Sequence, residues 1–285
     1  MTPQFEVIAT GFQFVEAPRV DDKGVVYFSD LTGGGYYRVR PGAQVETLLP
    51  GRMWIGGAVL DEDGSLVLSG KGGLVRLDPD TGKTEVLLSE LGGKPIIAVN
   101  DIEADARGGI FGGTIDFAAV FERGEVPRGG QFFYRSSGGE IRILRDGLTT
   151  SNGIGFSPDG TRMYHCECTQ GVWTYALGPD GMPGDPQMFA RLDDCDGLAV
   201  DAEGGIWVAC WSTAQILRYR PDGGPDLRWT LPFPHLVSLC FGGPDLSDLY
   251  IATGGNAENP GKGGIVRVGA GVRGLQTHKS GRRKK

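Results

Sequence analysis

Four side chains with oxygen donors recur at one fixed distance from a turn glycine. They lie eight positions before it: Glu16 before Gly24, Asn100 before Gly108, Asn152 before Gly160 and Asp196 before Gly204. Two carboxylates and two amides suit a hard or borderline divalent cation, with water or substrate completing its shell. Such a cation can polarise a carbonyl group or lower the pKa of bound water, and a nearby carboxylate can serve as general base. The spacing therefore predicts a metal site, provided that the fold brings the four positions together.

The element that would position these residues is a repeated β-hairpin. Each repeat has a short apolar run, an acidic turn closed by glycine and a second apolar strand, which is typical of paired strands. The turn glycines fall at positions 24, 64, 108, 160 and 204, and a sixth, looser unit contains the strand around Leu249. A second hairpin signal follows within most repeats, so each unit of about 40–50 residues predicts a four-stranded sheet. The sequence therefore predicts an all-β, six-bladed β-propeller.

In a propeller the first strand of each blade lines the central channel. Alignment on the turn glycine assigns one ring position to each blade: Glu16, Gly56, Asn100, Asn152, Asp196 and, in the looser sixth unit, Val237. The four oxygen donors would meet at a metal ion on the axis, and the side with Gly56 and Val237 would remain open to substrate. The structural alternative is that Asn and Asp recur because they open turns in any propeller.

Composition and charge narrow the class of protein. The 285 residues include 49 glycines, which indicates many tight turns, and the formal net charge of −7 argues against a general nucleic-acid binder. No apolar run approaches the ~20 residues of a membrane span, and the N-terminus lacks signal-peptide features. Five scattered cysteines favour a reduced, cytoplasmic protein. We expect no nucleic-acid or membrane partner, and a monomer or weak dimer.

The domain organisation follows from the extent of the repeat. We predict one propeller domain over residues 1–270, closed by pairing of the segment 5–9 with a last-blade strand such as 264–268. Residues 271–285 are predicted to be a disordered basic tail. The segment 115–130 departs most from the repeat and is either a lid over the axis or a long surface hairpin. There is no Gly-x-Ser-x-Gly motif and the three histidines are scattered, which argues against a serine hydrolase or a His-bound zinc peptidase.

Four segments carry a resemblance to a known family. They are Glu16-Ala17-Pro18, Asn100-Asp101, the run SNGIGFSPDG at 151–160 and the run DGLAVD at 196–201. With the six-unit pattern they resemble the SMP-30/gluconolactonase/LRE family of regucalcin-like lactonases, from about Phe5 to Val268. The resemblance implies hydrolysis of a lactone, metal binding by Glu16, Asn152 and Asp196, Asn100 as a ligand or a substrate contact, and Asp196 as acid/base. It leaves the ion open between calcium, our first candidate, and zinc, manganese or iron(II).

Departures from the family pattern concern the substrate. Sugar lactonases of the family often carry an arginine two residues before Asn100, where this chain has Ala98, and the glycine that commonly follows Asn-Asp is Ile102. The mouth of the channel would add apolar residues, namely Met53, Trp54, Ile55, Phe117, Val120 and Phe121. This rim predicts an apolar or aromatic lactone or ester that is less hydroxylated than a sugar lactone.

Three further residues are candidate substrate contacts. Asp101 would orient Asn100 or act as an alternative base, while Trp211 and His235 would line the channel mouth. Two other functions fit the same sequence. One uses the metal site for hydrolysis of organophosphates or other esters, or for a hydration or isomerisation. The other is a non-catalytic binding scaffold with a structural ion.

Overall fold

The computed structural model describes residues 2–281, whose main strands form six antiparallel sheets around one axis. The innermost strand of each sheet contacts the innermost strands of the two neighbouring sheets, so the ring is closed. The predicted six-bladed β-propeller is therefore confirmed.

Each blade has four strands, ordered from the inner strand at the axis to the outer strand at the rim. Blade 1 contains Val15–Val20, Val26–Asp30, Tyr36–Val39 and Val45–Leu49. Blade 2 contains Ala58–Leu60, Leu66–Leu68, Leu74–Leu77 and Thr84–Leu88. Blade 3 contains Ala98–Ala104, Ile110–Ile115, Gly130–Arg135 and Ile141–Leu148. Blade 4 contains Thr150–Phe156, Arg162–Cys168, Gly171–Ala176 and Gln187–Ala190.

The remaining blades complete the ring. Blade 5 contains Cys195–Val200, Ile206–Cys210, Gln215–Tyr219 and Pro225–Thr230. Blade 6 contains His235–Gly242, Asp248–Gly254, Gly263–Gly269 and the N-terminal strand Glu6–Phe12. The strand Gly70–Lys71 of blade 2 joins the inner strand of blade 3, and Glu90–Leu91 pairs with Lys94–Pro95. None of the helices described is long and apolar enough to cross a membrane.

Turn geometry and ring closure agree with the sequence pattern. The turn glycines of blades 1 to 5 have φ between +67° and +90°, a conformation that side-chain-bearing residues rarely adopt. The N-terminal strand pairs with the third strand of blade 6, with Glu6 opposite Arg267 and Val7 opposite Val266. The predicted closure by the two ends of the chain is thus confirmed.

The core lies between adjacent sheets, where the inner strands are covered on both faces. In blade 3 every residue of the inner strand Ala98–Ala104 is buried, and in blade 5 every residue of the second strand, Ile206–Cys210, is buried as well. The same burial explains why inner strands have nearly continuous apolar runs in place of simple alternation. All five cysteines are free thiols, and four of them are buried: Cys166, Cys195, Cys210 and Cys240.

The C-terminal segment differs from the prediction. Residues 271–281 are ordered and cross the face of the propeller opposite the channel mouth, so the predicted disorder is wrong for them. The Leu275 amide bonds to the Val200 carbonyl in blade 5. At the far end Ser280 donates to Asp61 and bonds through its backbone to blade 2. Residues 282–285 of the predicted basic tail lie outside the described residues. We call residues 271–281 the C-terminal strap.

The segment 115–130 lies at the channel mouth above blades 2 and 3. It contains one short π-helical turn, Ala119–Arg123, whose first N–H donates to Asp116 Oδ1 at 2.9 Å. Arg123 also pairs with Asp116 at 2.7 Å, so the turn is closed on itself. Phe117 of this segment is buried against Trp54, whereas Phe121 remains 44% exposed.

Candidate metal centre at the channel axis

The four predicted donors come together at one level of the channel. Glu16, Asn100, Asn152 and Asp196 are all buried, with at most 8% of each residue exposed. The Asn100 amide nitrogen donates to Asn152 Oδ1, and the Asn152 amide nitrogen donates to the Cys195 carbonyl beside Asp196. Glu16 is close enough to Asp196 for the two charges to interact. Four blades thus contribute one oxygen-bearing side chain each.

The inner strands are irregular at this level. In blades 1, 3, 4, 5 and 6 the register between the first two strands shifts at or beside the ring residue. The shift in blade 3 falls between Val99 and Ile102, and that in blade 4 between Ser151 and Ile154. Such bulges redirect a side chain and interrupt the ladder, and they are frequent beside functional sites. Here the bulges turn the polar ring residues of otherwise apolar strands toward the channel axis.

The backbone is also strained beside Glu16. Ala17 has φ of +52°, although it is not glycine, and its N–H donates to Glu16 Oε2 at 3.2 Å. A left-handed conformation at a residue with a side chain costs about 1–3 kcal/mol and persists only where the surroundings enforce it. The strained turn therefore holds the Glu16 carboxylate in place.

The hydrogen bonds fix the orientation of the Asn100 amide. Its nitrogen lies 2.8 Å from the Ser151 carbonyl, which can only accept, so the nitrogen must face blade 4. Its oxygen then points toward blade 2, where a Cβ on Gly56 would come within 2.1 Å of it. The space directly beside Gly56 is therefore filled by the Asn100 amide oxygen, and the placement of substrate on the side of Gly56 and Val237 stays a prediction.

Burial, and to a lesser extent repulsion between neighbouring charges, raises the pKa values of the carboxyl groups at the site. Burial raises the pKa of Glu16 well above its usual range, and the charges of Asp196 and Asp101 add to the effect. Burial likewise raises the pKa of Asp196, with contributions from Asp101, Cys195 and Asp194. Burial raises the pKa of Asp101 to about 7 although Arg19 opposes the shift. The site thus concentrates carboxyl groups that water cannot solvate, which favours their neutral forms when no cation is bound.

The nearest cation does not neutralise this charge. Arg19 pairs with Glu103 at 3.0 Å and also donates to the Pro18 and Ile102 carbonyls. The two side chains and the two carbonyl groups are buried below the ring, and the Arg19–Glu103 pair links blade 1 to blade 3. Glu103 takes up the charge of Arg19, so no cation among residues 2–281 forms an ion pair with Glu16, Asp101 or Asp196. No pattern in the sequence pointed to this ion pair.

The donor set fits a hard divalent cation. Two carboxylates with raised pKa values and two amides provide oxygen ligands and a surplus of negative charge, which calcium prefers over soft ligands. Among residues 2–281 no group of three or more His, Cys, Asp or Glu is arranged to hold a metal. An ion at the axis would therefore need amide oxygen as well as carboxylate, and Asn152 Oδ1, which accepts the Asn100 amide N–H, is the candidate amide ligand.

The predicted apolar rim forms above blades 2 and 3. The Trp54 and Phe117 ring centres are 6.1 Å apart, and those of Phe117 and Phe121 are 5.4 Å apart. Ala98 is fully buried in the same cluster, together with Ile115. The region around Ala98 is thus occupied by apolar side chains.

A second group of predicted contacts lies across the mouth. His235 Nδ1 is 2.9 Å from the Trp211 carbonyl, and the two rings are 5.6 Å apart. The His235 ring also lies 5.7 Å from Phe14, which packs partly buried against the Trp54 cluster. Phe14 was missed by the sequence reasoning. The same register finds it, because Phe14, Trp54 and His235 each lie two residues before a ring position.

Ile55 does not lie with the other rim residues. Its side chain is fully buried in the core between blades 1 and 2, and its carbonyl accepts a hydrogen bond from Ser29 at 2.6 Å. The predicted substrate contact by Ile55 is therefore wrong, because the chain turns it away from the channel after Trp54.

The profile of one protein family matches residues 14–255 of the chain, under the description SMP-30/Gluconolactonase/LRE-like region. The chain belongs to this family. Among its curated relatives, pentonolactonase XacC of Haloferax volcanii is 28% identical over 257 residues, covering 87% of this chain and 84% of the relative. The 6-deoxy-6-sulfogluconolactonase of Pseudomonas putida is 31% identical over 240 residues, covering 80% and 79%.

The solved structures of the SMP-30/gluconolactonase group agree in fold. The crystal structure of a calcium-binding regucalcin from Agrobacterium tumefaciens superposes with a TM-score of 0.82 over 98% of both chains, at 21% identity. At that identity the likeness concerns the architecture, and the arrangement of side chains must be argued from this chain.

Proposed function

We propose that this protein is a metal-dependent lactonase. The observation that supports the proposal most is the convergence of Glu16, Asn100, Asn152 and Asp196 at one buried level of the channel. Relatives named as lactonases of pentono- and sulfogluconolactones support the same reaction class. Glu16, Asn152 and Asp196 would hold the ion, and Asn100 would contact the ion or the substrate.

The chemistry divides between the ion and the chain. A divalent cation, with calcium as first candidate, would polarise the lactone carbonyl or lower the pKa of an attacking water. Asp196 would accept a proton from that water and return it to the ring oxygen as the ester C–O bond breaks. Burial raises the pKa of Asp196, which makes its carboxylate a stronger proton acceptor. Asp101 would add negative charge beside Asp196 without holding the ion.

The substrate would be less hydroxylated than a sugar lactone. Ala98 lies beneath Trp54, Ile115 and Phe117, so this side of the mouth offers apolar contacts where a guanidinium would bind hydroxyl groups. A buried apolar surface discriminates against hydroxyls because they lose water without gaining a partner. We therefore expect an aromatic or alkyl lactone.

The test compares two substrates and two variants. Purified protein with added calcium should hydrolyse dihydrocoumarin with a higher kcat/KM than gluconolactone. The Asp196→Asn variant should lose at least about 100-fold in kcat, the scale of acid/base and metal ligation effects, while remaining folded. The matched control, Asp185→Asn on the exposed surface, should be unchanged.

Three results would contradict the proposal in different parts. A faster reaction with gluconolactone would overturn the substrate preference alone. Activity that survives both chelation and Asp196→Asn would exclude this site. No turnover of any lactone, together with a melting temperature that falls when the ion is removed, would favour a scaffold with a structural ion.

A further inference from the structure

Two fully buried residues lie directly behind the candidate site. Ser151 and His165 have no exposed surface, and Ser151 Oγ lies 2.8 Å from His165 Nε2. The His165 ring is stacked on Phe132 with centres 4.4 Å apart and an angle of 20°. On the other side a Cβ at Gly113 would come within 2.1 Å of Ser151, so this glycine makes room for the hydroxyl. Neither residue can reach a substrate.

The direction of the hydrogen bond follows from the second ring nitrogen. His165 Nδ1 is buried and has no hydrogen-bond partner among the described residues. A proton on Nδ1 would leave a buried N–H unpaired, at a cost of about 1–3 kcal/mol. The favoured tautomer therefore carries the proton on Nε2 and donates it to Ser151 Oγ. Burial and the nearby Arg145 lower the pKa of His165 to about 3, which keeps the ring neutral.

Ser151 connects this pair to the two amides of the site. Its carbonyl accepts a hydrogen bond from the Asn100 amide nitrogen at 2.8 Å. The same nitrogen donates to Asn152 Oδ1, the candidate amide ligand of the proposed ion. Ser151 lies at the start of the register shift in blade 4, where the ladder to the neighbouring strand is interrupted. Its side-chain bond to His165 adds a contact with the neighbouring strand beside this interruption.

We propose that His165 is a positioning residue that fixes the Asn100 and Asn152 amides through Ser151. It contacts neither ion nor substrate; it holds the carbonyl that sets the orientation of Asn100 and thereby the direction of Asn152 Oδ1. The inference deepens the proposed function, on which its kinetic consequences rest. The orientation of the amides is a property of the chain alone and can be measured separately.

The experiment uses three variants of the full chain. His165→Phe keeps a stacked ring and removes the donor, whereas His165→Gln keeps an N–H donor on a chain of similar reach. Phe132→Leu is the matched control, because it removes the stacked ring and leaves the hydrogen bond. Ser151→Ala provides a second, smaller removal of the same bond in case His165→Phe does not fold.

Two readouts are taken for each variant. The first concerns function: the dissociation constant for calcium is measured by calorimetry with calcium chloride alone, and kcat and KM are measured with dihydrocoumarin. The second is the exchange rate of the side-chain amide protons of Asn100 and Asn152, measured by NMR in chelator. A purely structural residue would change the melting temperature and leave both readouts as they are.

The expected result separates the variants. His165→Phe and Ser151→Ala should weaken calcium binding by about 10–100-fold, the usual effect of removing a group that orients a ligand, and should speed amide exchange. His165→Gln should restore most of both, while Phe132→Leu should lower only the melting temperature. If amide exchange in His165→Phe equals that of the wild type, the positioning role is overturned. If the wild type neither binds calcium nor hydrolyses lactones, the proposed function fails while amide exchange still decides the positioning role.

Discussion

Replacement of Asp101 by asparagine should stabilise the metal-free protein. The Asp101 carboxyl is 8% exposed, and burial raises its pKa from 3.8 to about 7. A shift of roughly three pKa units corresponds to about 4 kcal/mol of preference for the neutral form. Asparagine has nearly the same shape and carries no charge, so the variant avoids this penalty.

The sign of the pH dependence is fixed by the direction of the shift. Between about pH 4 and pH 7 the native state binds the Asp101 proton and the unfolded state releases it, so the free energy of unfolding falls as pH rises. The stabilisation by Asp101→Asn should therefore be near zero at about pH 4 and reach about 4 kcal/mol at about pH 8. Unfolding of 285 residues has an entropy near 0.6 kcal/mol/K, so the melting temperature should rise by about 7 °C.

The assay is thermal and urea unfolding in chelator at both pH values, repeated with calcium. The wild type should gain about 3 kcal/mol at a calcium concentration about 100 times the dissociation constant, and the variant should bind calcium more weakly because one negative charge is lost. Asp185→Asn on the surface serves as control, with no pH-dependent gain expected. A variant less stable than the wild type at the higher pH, or equally stabilised at both, would refute the reasoning.

Three further predictions concern other parts of the fold. Arg19→Met should cost about 3–5 kcal/mol in urea unfolding because it leaves Glu103 buried and unpaired, and the double variant with Glu103→Leu should recover most of that loss; an equal loss in both would exclude this origin. Phe117→Ala should reduce kcat/KM for dihydrocoumarin by about tenfold and leave that for gluconolactone nearly unchanged, since it removes apolar area at the mouth; equal losses would argue against the rim. Ser280→Ala should lower stability by about 1 kcal/mol through its lost hydrogen bond to Asp61, as measured by the melting temperature; no change would indicate that the C-terminal strap is held by its backbone alone.

The sequence was sufficient for the ring positions because the hairpin repeats in register. A glycine with positive φ marks one point in each blade, and counting back eight residues reaches the same height on the axis. Glu16, Asn100, Asn152 and Asp196 could be found in this way before any contact was known. Counting back ten residues reaches Phe14 and Trp54 at the mouth by the same reasoning.

The contacts that depend on local irregularity could not be predicted. The register shifts beside the ring residues, the Asn100 side chain in the space next to Gly56, and the Ser151–His165 bond all arise where the ladder is interrupted. Periodicity carries no information about such interruptions. The C-terminal strap was missed for a related reason: its bonds are mostly made by backbone groups, which composition does not reveal.

The buried carboxylates at the axis and the position of Arg19 together determine the charge of the site. A propeller axis lined only by apolar residues would lack these donors. Burial raises the pKa values of the three carboxylates, the charge of Asp101 adds to the effect on Glu16 and Asp196, and ionised carboxylates there destabilise the chain. The protein could have offset them with Arg19, yet that guanidinium is held below the ring by Glu103 and two carbonyl groups. Within residues 2–281 no cation is paired with these three carboxylates, and this arrangement would favour the proposed binding of a divalent cation. An ion at the axis would offset the stability that is lost to Asp101 and its neighbours. Unfolding of Asp101→Asn without and with calcium measures the cost of the carboxylate in the first case and its contribution to ion binding in the second.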